Sequence, residues 1–113
     1  MTKAHAFHAH VYFDERSAAE AEALCQRAGE ELGVRVGRFH RKLVGPHPRW
    51  SCQLSERIER LGPALAWLAE NRGELTIFTH LVTDDDLTDH TQHAIWMGEM
   101  LELDLRQFLP DAD

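Results

Sequence analysis

Read for the alternation of apolar and polar positions, the chain opens on a strand. Across residues 5–13, HAFHAHVYF, the residues His5, Phe7, Ala9, Val11 and Phe13 fall on one face, and Ala6, His8, His10 and Tyr12 on the other. The first face suits a core. The second sets His8 and His10 side by side, with Cα atoms about 6.5–7 Å apart, within reach of a single ion. Beyond residue 13 the period changes. Ser17-Ala-Ala-Glu20 reads as a capping box, Ala21, Leu24, Cys25, Ala28 and Leu32 recur at helical spacing, and Gly33 suits a C-terminal stop. A second strand, VRVGRFHRKLV, spans 34–44, and the turn GPHP at 45–48 separates it from a third, RWSCQLS. The pattern predicts a helix over 61–72, with Pro63 in its first turn, Gly73 after its end, and Leu61, Leu65 and Leu68 as the buried stripe. LTIFTHLV, residues 75–82, reads as strand four. The acidic TDDDLTDHTQH and the tail AIWMGEMLELDLRQFL carry no clear period.

The order βαββαβ predicts one domain over 1–113 with an α+β fold, a ferredoxin-like sandwich of four antiparallel strands and two helices on one face. Such a sheet has strands one and three at its centre and strand four beside strand one. On strand four, Leu75, Ile77 and Leu81 share one parity, Phe78 and His80 the other. His80 is thus expected to join His8 and His10 on the face away from the helices. That face would be uncovered, which favours self-association, and a homodimer is expected.

Composition narrows the classes. The chain has 113 residues, of which 43% are hydrophobic, enough for one real core. A net charge of −7 argues against nucleic acid as a partner, because such binding depends on neutralising phosphates. No apolar run is long enough to span a bilayer, and MTKAHAFHAH has no secretory h-region, so no membrane partner and a cytoplasmic location are expected. Cys25 and Cys52, far apart and outside any metal or redox spacing, fit a reducing compartment. The charge is uneven. From Leu32 to Ser55 there is no Asp or Glu, while Arg35, Arg38, Arg41, Lys42 and Arg49 all lie there. This stretch suits either a small anionic ligand or a basic edge strand that discourages aggregation.

Eight histidines give the candidate chemistry. A single strand histidine is ordinarily a tolerated side chain, and His5 reads as surface. Converging His8, His10 and His80 are different. Neutral imidazole ligates zinc, copper, iron and nickel, and three protein ligands with open positions are what a catalytic metal needs. Asp14 or the Asp84–Asp89 cluster could instead supply a carboxylate ligand. Tyr12 and Trp50 read as packing residues and Trp67 as core. No thiolate-activating motif and no glycine-rich phosphate loop accompany them.

Together, HAHVYFD, GRFH…VGPHP, LTIFTHLVTDDDLTDHT and AIWMG resemble the DOPA 4,5-dioxygenase family over residues 5–105. The resemblance implies a ferredoxin-like fold and extradiol cleavage of a catechol, such as DOPA or caffeate, using non-haem Fe(II) and dioxygen. It places His8, His10, Arg38, His40, His47, His80, Asp89 and His90 in the site. On strand geometry the metal ligands are His8, His10 and His80. The chemistry then needs a proton acceptor and a proton donor, for which His47 and His90 are the candidates, and Arg38 with His40 would meet the substrate. Zinc or nickel could occupy the site of a purified sample in place of iron. Two other readings use the same residues: a metal-binding or sensing module without turnover, and a dimeric interaction domain.

Overall fold

The computed structural model describes residues 3–110. Its elements are β1 (Ala6–Phe13), α1 (Ala18–Leu32), β2 (Arg35–His40), β3 (Trp50–Arg57), α2 (Leu61–Asn71), β4 (Ile77–Val82), α3 (Asp86–His90) and β5 (Ala94–Met97). The fold is α+β, with one antiparallel sheet in the order β2-β3-β1-β4-β5. The sheet therefore has five strands, not the expected four. The fifth is only four residues long, too short for a period-two signal to emerge from the sequence. It pairs along the outer edge of β4, from Ile77↔Met97 to His80↔Ala94.

The core lies between the sheet and the two longer helices. Ala9, Val11 and Phe13 of β1, Cys52 and Leu54 of β3, and Leu75 and Ile77 meet Ala21, Leu24, Cys25 and Ala28 of α1 and Leu68 of α2. Ala21 and Ala28 are wholly buried, so α1 can lie close against the strands. Gly33 ends α1 as expected, at φ 73°, with its N–H donating to the Gly29 carbonyl. The start differs from the expected capping box. Asp14 Oδ1 accepts from both the N–H and the hydroxyl of Ser17, and Ser17 Oγ in turn accepts from the Asp14 N–H. A carboxylate three residues upstream has taken the hydroxyl that would have capped the helix. In α2 the fully buried positions are Ala64 and Leu68, while Leu61, Leu65 and Trp67 are half-buried. Trp67 sits at the rim of the core, its Nε1 donating to Glu31 at 3.3 Å.

The second face of the sheet is not open. His10, Tyr12, Phe78 and His80 are all buried there. The GPHP loop, α3 and the chain after β5 lie over it. The Asp104 N–H donates to the Pro46 carbonyl at 2.9 Å, tying the tail to the loop, and Phe108 stacks on His90. The physical reason for expecting a dimer at this face, an uncovered apolar sheet, goes with that finding. No helix among the described residues is long and apolar enough to cross a membrane. At the opposite edge from β5, β2 carries a bulge between Val36 and Phe39 and exposes Arg35 and Arg38.

Candidate metal centre and its surroundings

The central strand sets the site. β1 pairs with β4 in a register that puts His8 opposite His80 and His10 opposite Phe78. Side chains at directly paired positions share a face, so the three imidazoles project together. One ring nitrogen from each of His8, His10 and His80 lies within 4.8 Å of the other two. His10 Nε2 and His80 Nε2 are 3.1 Å apart. Two nitrogens bound at about 2.1 Å and roughly at right angles on one ion would be separated by about 3 Å, so the donor set fits a first-row metal. His80 Nδ1–H donates to the Leu81 carbonyl at 2.9 Å, which leaves Nε2 with its lone pair toward the cluster.

Burial keeps these rings neutral. It pushes the His10 pKa well below the usual histidine value, with nearby His47, His80, His8 and His90 adding to the effect. Burial lowers His80 to about 4, partly opposed by its bond to the Leu81 carbonyl. His8 is lowered by burial and then by His90. Neutral imidazole is the form that ligates. The alternative carboxylate ligands do not join the cluster. Among the described residues the converging group holds only His8, His10 and His80; Asp14 is engaged with Ser17, and Asp89, of the Asp84–Asp89 stretch, with Thr83 and His93.

Two further histidines flank the three. The ring of His47, from the GPHP loop, lies 4.0 Å from that of His10, and the ring of His90, from α3, lies 4.1 Å from that of His80. Burial takes the His47 pKa to about 4, helped by His90, His40 and His8. His47 Nδ1 shares a 2.7 Å hydrogen bond with the Tyr12 hydroxyl, whose own pKa burial drives upward. His90 Nδ1–H donates to the Asp86 carbonyl at 2.7 Å. Phe78 supports the whole group from below, stacked on Trp96 at 4.5 Å.

The position of His90 depends on Asp89. This carboxylate is 1% exposed and accepts from the Thr83 N–H (2.7 Å), the Thr83 hydroxyl (2.9 Å) and His93 Nδ1 (2.9 Å). Burial alone would raise its pKa. The bonds from Thr83 and His93 outweigh that and hold the carboxyl below its ordinary value. Asp89 thereby fastens α3 to the end of β4, while Asp85 caps the same short helix by accepting from the Thr88 N–H.

Of the residues expected to meet substrate, His40 lies on the site's side of the sheet, through the register Tyr12↔Ser51↔His40. Arg38 is exposed in the β2 bulge, and among the described residues no hydrogen bond joins it to the histidines. Sequence reasoning passed over the aromatic floor and the Tyr12–His47 bond. The signal was present for Tyr12, which shares the parity of His8 and His10, and for Trp96, which lies in the AIWMG motif; nothing local marked Phe108.

Known proteins place this arrangement in context. The model of the Dopa 4,5-dioxygenase family matches residues 7–107. Over 112 residues the chain is 36% identical to an uncharacterized 21.2 kDa protein of Botryotinia fuckeliana, an alignment covering 88% of this chain and 61% of that one. It is 30% identical over 108 residues to a DOPA 4,5-dioxygenase of Amanita muscaria, covering 88% of this chain and 47% of the relative. The chain thus spans less than two thirds of either relative's length. A crystal structure of a proposed dioxygenase from Nostoc punctiforme superposes with a TM-score of 0.79 at 36% identity, covering 92% of this chain and 93% of that one. On the match across nearly its whole length, the chain belongs to the Dopa 4,5-dioxygenase family.

Proposed function

We propose that this chain opens the ring of a catechol acid, with DOPA and caffeate as the first candidates, by extradiol oxygenation at a non-haem Fe(II) held by His8, His10 and His80. The observation that carries the reading is the set of three imidazoles, His10 and His80 buried and His8 half-buried, whose nitrogens converge within 4.8 Å. An Fe(II) bound there would supply a redox-active Lewis acid at which catechol and dioxygen meet. Three protein ligands leave room for both.

The remaining residues handle protons and position. A catechol must lose a proton to become electron-rich enough to react, and cleavage of the O–O bond needs a donor to the departing oxygen. His47 and His90 flank the three ligands and fill these two roles. Arg38 would pair with the substrate carboxylate in the two-pronged manner of a guanidinium, with His40 beside it; this requires the acid group to extend toward β2. The tail and the GPHP loop cover the face on which His10 and His80 are buried. In the reaction a ring C–C bond next to the diol breaks, both atoms of dioxygen enter the product, and the new ends become a carboxylate and an aldehyde. The product is a yellow semialdehyde.

In this reading the chain works in the cytoplasm as a single domain. Its scaffold is a ferredoxin-like unit of β1–β4 with α1 and α2, extended at the edge by β5.

The test is anaerobic reconstitution with Fe(II) followed by admission of oxygen, with DOPA and caffeate supplied separately. We expect uptake of one dioxygen per catechol and a ring-opened yellow product, both abolished in His10→Ala. Full metal occupancy with no uptake on either catechol would replace this reading with a metal-binding module that does not turn over.

A further inference from the structure

His47 and His90 reach the site from different elements, and each has one nitrogen already engaged. For His90 the partner is the Asp86 carbonyl, 2.7 Å from Nδ1. A carbonyl only accepts, so Nδ1 carries a proton, and the Nδ1–H tautomer offers its lone pair at Nε2. For His47 the partner is the Tyr12 hydroxyl, 2.7 Å from Nδ1. Here either group could donate. The surroundings decide. Tyr12 is 1% exposed, and its hydroxyl has no other hydrogen-bond partner among the described residues. If His47 donated, the phenolic O–H would be buried with nothing to receive it. With Tyr12 donating, its buried hydroxyl is satisfied and the His47 proton sits on Nε2. Neither Nε2 has a protein hydrogen-bond partner among the described residues, so both are free to meet a ligand.

We propose that Tyr12 is a positioning residue that holds His47 with its proton on Nε2, so that His47 faces the site as a hydrogen-bond donor opposite His90, which the Asp86 carbonyl fixes as an acceptor. The inference rests on the catechol-cleaving reading and deepens it by dividing the labour between the two histidines. His90 takes the catechol proton. His47 donates to the oxygen on which negative charge develops as the O–O bond breaks. A neutral N–H fixed in place suits that task, because it is oriented before the charge appears. The parity of β1 explains why a tyrosine can serve: Tyr12 lies two residues from His10 on the same face, beneath the GPHP loop that carries His47.

The experiment is long-range 1H–15N correlation on the metal-free protein, which reads the tautomer of each imidazole directly. In wild type we expect His47 as the Nε2–H form and His90 as the Nδ1–H form. In Tyr12→Phe, His47 should become a mixture while His90 stays unchanged. Turnover of the Fe(II)-loaded enzyme supplies the second readout. Tyr12→Phe should lower kcat about tenfold or more with KM within about twofold, and should cause no further loss when added to His47→Ala. A wild-type His47 carrying its proton on Nδ1, or a Tyr12→Phe variant whose His47 spectrum and kcat are unchanged, overturns the inference. Wild-type protein that never consumes oxygen overturns the catechol reading instead, and the tautomer spectra still decide the role of Tyr12.

Discussion

Replacing Asp89 by alanine is the perturbation that most fully tests how the site is supported. The carboxylate is buried and accepts three hydrogen bonds, two from Thr83 and one from His93. Thr83 is itself 9% exposed, so its N–H and hydroxyl would lose their partner with little water to take its place. Leaving one such buried donor unpaired costs about 1–3 kcal/mol, and removing the charged member of a buried network costs about 3–5 kcal/mol, so about 3 kcal/mol is expected for Asp89→Ala. For a domain of this size that is a fall in Tm of about 12 °C. Asp89→Asn keeps the shape and an oxygen to accept from the Thr83 N–H but loses the charge, and should cost about 1–1.5 kcal/mol. Thermal unfolding followed by circular dichroism reads both. The sign with pH follows from the depressed pKa of Asp89 in the folded state. Its contribution is complete above the unfolded carboxylate value and is lost as pH falls through the folded one, so the gap between wild type and Asp89→Asn narrows in acid. Because α3 carries His90, the alanine variant should also lose activity about tenfold or more. A variant that melts within about 2 °C of wild type, with turnover intact, would refute the view that this carboxylate fastens α3.

Other perturbations probe the rest of the molecule. In the metal-free protein, unfolded histidines take up protons below about pH 6.5, whereas buried His80 and His47 hold out to about 4. Stability should therefore fall as pH drops across that window, by up to about 1.4 kcal/mol per pH unit for each such histidine; a flat acid profile in urea titrations would contradict the burial argument. Phe108→Ala removes the ring stacked 4.4 Å from His90 and should raise KM more than it lowers kcat, by steady-state kinetics. Leu68→Ala, at a wholly buried position between α2 and the sheet, should cost about 2–5 kcal/mol in chemical denaturation without changing the metal stoichiometry.

The residues differ in how visible they were before folding, for identifiable reasons. The convergence of His8, His10 and His80 was legible because a strand has a period of two and the element order implied that strand four lies beside strand one. Parity alone then places all three on one face. The covered face was not legible. Its cover comes from irregular chain after β5, held by contacts such as Asp104 to Pro46 that have no local signature. β5 itself is four residues long and announces itself only through its pairing with β4. Ser17 shows the opposite failure. The motif for a capping box was present, but Asp14, three residues upstream, accepts from both the Ser17 N–H and its hydroxyl. Tyr12 reads as packing from its alternation alone; its hydrogen bond to His47 depends on where a loop 35 residues away returns. Arg38 is the residue whose expected role gains least from the fold, since the β2 bulge leaves it exposed at the sheet edge, where a basic side chain also guards against edge pairing.

On the proposed function, His8, His10 and His80 together hold one metal ion. The most direct measurement is anaerobic titration of metal-free protein with Fe(II), followed by elemental analysis after desalting, for wild type and for each histidine→alanine variant. One ion per chain is expected in wild type, with near-complete loss in each of the three variants and full retention in His47→Ala and His93→Ala. Retention of a full ion by His8→Ala, His10→Ala or His80→Ala, or its loss only when His47 or His93 is removed, would contradict it.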